Sequence, residues 1–149
     1  MVAETGVNRL LAQANLAWLK HPIDDPRIAG MRENIQRVNA SADTAPGFVW
    51  RYQEGEDATG VRVLDDPSIL YNCTVWTDLD SLKAYVYRPD HGQMLRQRRE
   101  WFRPPPHPPN AMWWVEPDTR PTVEESLARL DMLWRHGPTR ESFTFSSVQ

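Results

Sequence analysis

The chain has 149 residues, enough for one domain whose core needs no covalent staples. Seventeen basic side chains against twenty acidic ones leave a net charge of −3, which argues against nucleic acid or an anionic membrane as the main partner. The single cysteine, Cys73, excludes an internal disulfide and a cysteine-based zinc site. The opening Met1–Gly6 lacks the basic and apolar regions of a signal peptide, and no apolar run of about 18 residues follows, so a cytoplasmic protein is expected.

Residues 1–9 read as a flexible lead-in to a single domain spanning 1–149. Leu10 to Trp18 alternates as a first strand, with Leu10, Ala12, Ala14, Leu16 and Trp18 on one face and Leu11, Gln13, Asn15 and Ala17 on the other. The first face suits packing under helices. The second sends Gln13 and Asn15 toward water or a polar-lined pocket, which makes Asn15 a site candidate. Its other reading is a strand amide bonded to a neighbour.

Asp25 and Pro26 open a helix by capping and by a proline at its first position. Ile28, Met31, Ile35, Val38 and Ala42 form its inner stripe. Thr44–Gly47 ends it, and Phe48–Gln53 follows as a second strand with Phe48, Trp50 and Tyr52 on one face. The acidic segment Glu54–Asp66 reads as a loop. Ile69–Trp76 is a third strand, and Thr77-x-x-Asp80 caps a helix with Leu79, Leu82 and Val86 inward. Pro89 then starts or kinks into a second helical piece reaching Phe102.

That second piece carries the chemistry. Spacings of four, three and four put His91, Leu95, Arg98 and Phe102 on one side, so an imidazole and a guanidinium occupy a face that should be hydrocarbon. Such a pair can hold an anion or polarise a carbonyl. The plainer reading is a buried histidine bonded to backbone and an arginine in an ordinary ion pair.

Arg103–Pro109 is a stiff, extended spacer. Ala111–Val115 is a fourth strand, apolar on both faces. Thr122-x-x-Glu125 caps a helix with Val123, Leu127, Leu130 and Trp134 inward, and Gly137-Pro138 stops it. Ser142–Val148 reads as a short last strand with Phe143 and Phe145 on one face. The four histidines, His21, His91, His107 and His136, show no metal-ligand spacing, so no metal site is expected. The seven tryptophans suit either a cavity for a flat ligand or the core and a subunit interface.

The first six elements give the βαββαβ order of a ferredoxin-like α+β fold with an antiparallel sheet and both helices on one side, followed by an additional helix and strand. The bare sheet face then needs a cover. A second copy would supply it, so a homodimer is expected.

Three segments carry a resemblance to a known family: Pro46-Gly47-Phe48-Val49-Trp50-Arg51; Tyr87-Arg88-x-x-His91 with Arg96-x-Arg98-Arg99-Glu100-Trp101-Phe102; and Trp113-Trp114-Val115 followed by Pro121-Thr122-Val123-Glu124-Glu125. Together they resemble the bacterial family called domain of unknown function 3291, from about Leu11 onward. The resemblance implies a branch of the dimeric α+β barrel superfamily, beside antibiotic-biosynthesis-type monooxygenases, isomerases, dehydratases and haem-degrading enzymes. Haem-degrading relatives place an Asn on the first strand and a Trp and a His in the helix after the third. Asn15 matches the first position, Tyr85 stands at the Trp position and Leu95 at the histidine position, with His91 one turn earlier. No cofactor is therefore expected, with haem as the alternative.

Cofactor-independent monooxygenases of this fold take an electron-rich aromatic substrate in an apolar pocket, and the resemblance implies the same here. A flat aromatic or polyketide-like small molecule would meet His91 as general acid or base, Arg98 at developing negative charge, and Asn15. Trp50, Trp76, Tyr85, Leu95, Trp101 and Trp113 would line the pocket. A non-redox cyclase, isomerase or dehydratase would use the same residues. A non-catalytic dimer that binds a ligand or haem is the remaining alternative.

Overall fold

The structure, a computed structural model, describes residues 9–53, 64–87 and 98–147. The strands are β1 (Leu10–Trp18), β2 (Phe48–Arg51), β3 (Ile69–Trp76) and β4 (Asn110–Val115), and the helices are α1 (Ala29–Asp43), α2 (Leu79–Val86), α3 (Arg98–Trp101) and α4 (Val123–His136). One sheet runs β2-β3-β1-β4 with every neighbouring pair antiparallel. This is the ferredoxin-like order, in which two interleaved split βαβ units place their crossover helices on the same side.

Local chemistry sets the boundaries. Asp25 accepts from the Arg27 N–H at 2.8 Å and caps a 3-10 turn, Pro26–Ile28, that runs into α1. The cap of α2 is Asp78, which accepts from the Ser81 N–H at 2.7 Å, one residue later than the Thr77-x-x-Asp80 reading. Gly47, at φ +83°, lies so close to Ser81 and Thr77 that no side chain would fit, which locks the start of β2 against the start of α2. Thr122 caps α4 as expected, and Gly137 ends it at φ +73°.

Face A of the sheet lies under α1 and α2; face B lies under α4. On face B, Ala12, Ala14, Leu16, Trp18, Tyr71, Cys73, Val75, Ala111, Trp113 and Val115 pack with Leu130 and Leu133 of α4 as one cluster. The sheet-on-sheet pairing expected from the sequence requires face B to be open, and α4 occupies it. Among the described residues the only strongly exposed large hydrophobic is Tyr87, at 72%. Cys73 is buried in this layer, and desolvation pushes its thiol up to about 11, as suits a small apolar filler.

Two expectations of strand geometry change. A bulge between Phe48 and Trp50 breaks the alternation of β2. Phe48 faces Trp76 on face A, whereas Trp50 and Tyr52 join the cluster on face B. The last strand is reduced to one bridge, Met112 to Phe143, and a 3-10 turn at Phe145–Ser147. There the Thr144 N–H donates to Ser147 Oγ at 3.1 Å, a local bond that competes with strand pairing. Of the helical piece read from Pro89 to Phe102, the described residues are 98–102: Arg98–Trp101 form α3, and Phe102 has left the helix for an antiparallel bridge to Leu19.

Candidate functional site

The register of β1 with its two neighbours writes face A as four rows of side chains. Leu70 and Ala17 form the first, Asn72, Asn15 and Asn110 the second, Thr74, Gln13 and Met112 the third, and Trp76, Leu11 and Trp114 the fourth, since residues directly opposite share a face. The second row is therefore three asparagines side by side across the middle of the sheet. All three are half-buried, whereas Leu70 beside them and the whole third row are buried.

Two separate apolar clusters flank that row. One joins Leu70 to Ile28 and Met31 and includes Trp101 of α3. The other joins Leu11, Trp76 and Met112 to Leu82 of α2 and to Phe143. On face A the core is thus interrupted by amides where on face B it is continuous. Asn34, on the inner side of α1, is also buried.

The polar groups beside the row are connected. Gln13 Nε2 donates to Thr74 Oγ1 at 2.9 Å and to Asn72 Oδ1 at 3.3 Å, and the Trp76 indole donates to Thr74 Oγ1 at 2.9 Å. Among the described residues no side-chain hydrogen bond involves Asn15 or Asn110. Amides donate and accept without carrying charge. An accessible row of them between two apolar walls suits a flat molecule with oxygen atoms on its rim.

The structure brings some of the sequence candidates together and separates others. Asn15, Trp76 and Tyr85 lie on face A. The Trp76 and Tyr85 rings are 5.2 Å apart, and the Tyr85 hydroxyl donates to the Val38 carbonyl at 2.8 Å, which ties α2 to α1. Trp101 is a packing residue: it is buried against α1, its ring 3.3 Å from where a Cβ on Gly30 would stand. Its carbonyl accepts from the Lys20 N–H at 2.8 Å. Trp50 and Trp113 belong to face B, on the far side of the sheet from Asn15. Trp113 is fully buried with Arg129 5.5 Å from its ring centre. A pocket lined jointly by Asn15, Trp50 and Trp113 is thereby corrected, because the sheet itself stands between them.

Arg98 is the first residue of α3. His91 and Leu95, on which the acid–base role and the haem alternative turn, lie outside the described residues. His21, His107 and His136 are elsewhere, at the turn after β1, stacked on Trp134 at 4.7 Å, and at the end of α4. No group of three His, Cys, Asp or Glu side chains able to hold a metal occurs among the described residues. No helix among them is long and apolar enough to cross a membrane.

Of the three residues in this row, the sequence marked Asn15 as a candidate and passed over Asn72 and Asn110. Each was visible in a strand, but only the register sets them beside Asn15. Asn34 stands three residues after Met31, on the helical spacing, and an apolar-only stripe passes over it.

Strand order and helix placement thus define a ferredoxin-like α+β domain with an appended helix that covers its second face. The family called Domain of unknown function (DUF3291) matches residues 10–149, and the chain belongs to it. No curated protein matches the sequence. Among solved structures it is similar to SnoaB, a cofactor-independent oxygenase from Streptomyces nogalater, at 18% identity and TM-score 0.47, covering 78% of this chain and 99% of that one. It is also similar to a conserved protein from Methanosarcina mazei Go1, at 13% identity and TM-score 0.49, covering 76% and 97%. A Nitrosomonas europaea protein provisionally described as an antibiotic biosynthesis monooxygenase matches at 11% identity and TM-score 0.49, covering 76% and 94%. At such scores the fold assignment rests on the strand order itself.

Proposed function

We propose that the chain is a small-molecule enzyme with its active site on face A, and that it oxygenates a flat aromatic or polyketide-like substrate without a cofactor. The observation that carries this reading is the half-open row Asn72, Asn15, Asn110 between two apolar clusters. Aromatic rings would lie against the clusters while the amides hold ring oxygens. An amide donor at an oxygen that gains negative charge favours the deprotonated, electron-rich form of a phenol or enol, the form that reacts with oxygen. Amides cannot take the proton at neutral pH. His91 is proposed as the base, because the imidazole is the side chain that ordinarily exchanges a proton near neutral pH, and Arg98 as a further partner for the anion. SnoaB, described as a cofactor-independent oxygenase, stands as the analogy for this chemistry and adds no weight to it.

Oxygen uptake with dithranol, a flat phenolic ketone, tests the proposal. The protein is expected to consume oxygen, and His91→Ala to abolish uptake with an unchanged melting curve. Full activity in His91→Ala removes the base assignment. Conversion without oxygen uptake moves the reading to a non-redox cyclase, isomerase or dehydratase, which would use the same amide floor. The homodimer expected from the sequence stays a proposal, with its contact moved off face B. Light scattering that returns one chain's mass, 17.3 kDa, removes it.

A further inference from the structure

Within the third row Gln13 and Thr74 are the buried polar pair, at 9% and 7% exposure. An indole N–H can only donate, so Thr74 Oγ1 accepts from Trp76, and it accepts again from Gln13 Nε2. Those two bonds fill both lone pairs of the hydroxyl oxygen. The other Nε2 hydrogen of Gln13 goes to Asn72 Oδ1. An isolated asparagine can present either end of its amide, because oxygen and nitrogen have almost the same shape. Here the carbonyl end is held by Gln13, and Nδ2 is left with no partner among the described residues.

We infer that Gln13 is a positioning residue: through its bond to Oδ1 it fixes Asn72 with the N–H₂ end presented to the ligand, so that the asparagine row meets a ligand oxygen with a donor. The inference rests on the reading of face A as the active site. It assigns to Gln13 no contact with the ligand. The chain of bonds links the buried indole through Thr74 and Gln13 to Asn72. Without Gln13 the amide turns freely, and half of its orientations place a carbonyl lone pair against an anionic oxygen.

Two measurements test this, the first without any ligand. Side-chain amide hydrogen exchange in ¹⁵N-labelled protein is expected to show the Gln13 amide protons exchanging at least about tenfold more slowly than those of Asn72, since buried, bonded protons are protected. The second uses alizarin, a planar dihydroxyanthraquinone whose colour reports whether its phenol is ionised. Bound to the protein, its phenol is expected to ionise about tenfold more readily than in water, one pKa unit. Gln13→Met should lose most of that shift. In an Asn72→Ala background the same change should alter nothing further, whereas a purely structural Gln13 would act in both backgrounds.

Asn72 protons as slow as those of Gln13 overturn the inference, as does an alizarin shift that survives Gln13→Met; either leaves the reading of face A standing. Failure of the unmodified protein to bind alizarin, with the exchange pattern as expected, overturns the reading of face A and the inference with it. The exchange measurement needs only the unmodified protein, so a Gln13→Met variant that fails to fold does not protect the inference.

Discussion

The two faces of the one sheet are built to different rules. Face B is a single apolar layer in which Ala12, Ala14, Cys73 and Ala111 let α4 approach and Trp113, Leu130 and Leu133 fill the space between. Face A divides its apolar residues into two clusters and keeps three half-open amides between them. A layer that serves stability alone has no reason to interrupt itself, since every polar group placed in a core costs free energy unless it is bonded. Under the proposed function, the interruption on face A is where stability gives way to recognition.

Substitutions on the two faces should therefore differ in kind. The largest effect is expected from Trp113→Ala on face B, which empties a fully buried site and should cost about 3–5 kcal/mol of stability, read from urea denaturation. A cost within the range of ordinary surface changes would break the comparison, because it would mean that α4 is not tightly docked. On face A, Asn15→Ala should leave the urea midpoint nearly unchanged and weaken alizarin binding about tenfold, the value of roughly one well-placed hydrogen bond. The opposite result, lost stability with intact binding, would make the asparagine row structural.

Acid should separate the faces more gently. Three carboxylates lie below the ordinary aspartate range: Asp25 through its bonds from the Arg27 guanidinium and N–H, Asp66 through the Ser68 N–H, and Asp78 through the Ser81 N–H. They precede α1, β3 and α2. Because the folded values are depressed, the stability they contribute is present above about pH 4 and is lost as pH falls through the folded values. The cap of α4 is Thr122, which does not titrate. Backbone amide exchange on stepping down from pH 4 is expected to lose protection in α1 and α2 before α4. Equal loss in all three helices would show that the layers do not respond separately.

Much of this was legible in the sequence, for reasons that can be named. The alternation in Leu10–Trp18, the proline at position 26, the cap at Thr122 and the stop at Gly137-Pro138 are local signals, and each marks an element boundary in the structure. The βαββαβ order follows from those elements alone. The bulge at Val49 left no mark, because one extra residue in a short aromatic strand looks like ordinary alternation. It carries Trp50 to face B. The cover that α4 gives to face B was equally hidden, since an amphipathic stripe says that a helix must bury one side and not what it buries it against. The asparagine row needed the register of three strands separated by long stretches of sequence.

The appended helix also decides when the protein can fold. β1, near the N-terminus, finds its partners in β3 and then in β4, whose Asn110 lies opposite Asn15, and the cover for face B ends at His136. A nascent chain thus carries a central strand with no neighbour on one side until β4 is made, and a bare apolar layer until α4 is made. Domains are generally assembled as units during synthesis, and this sheet has its second face covered only once α4 has been made.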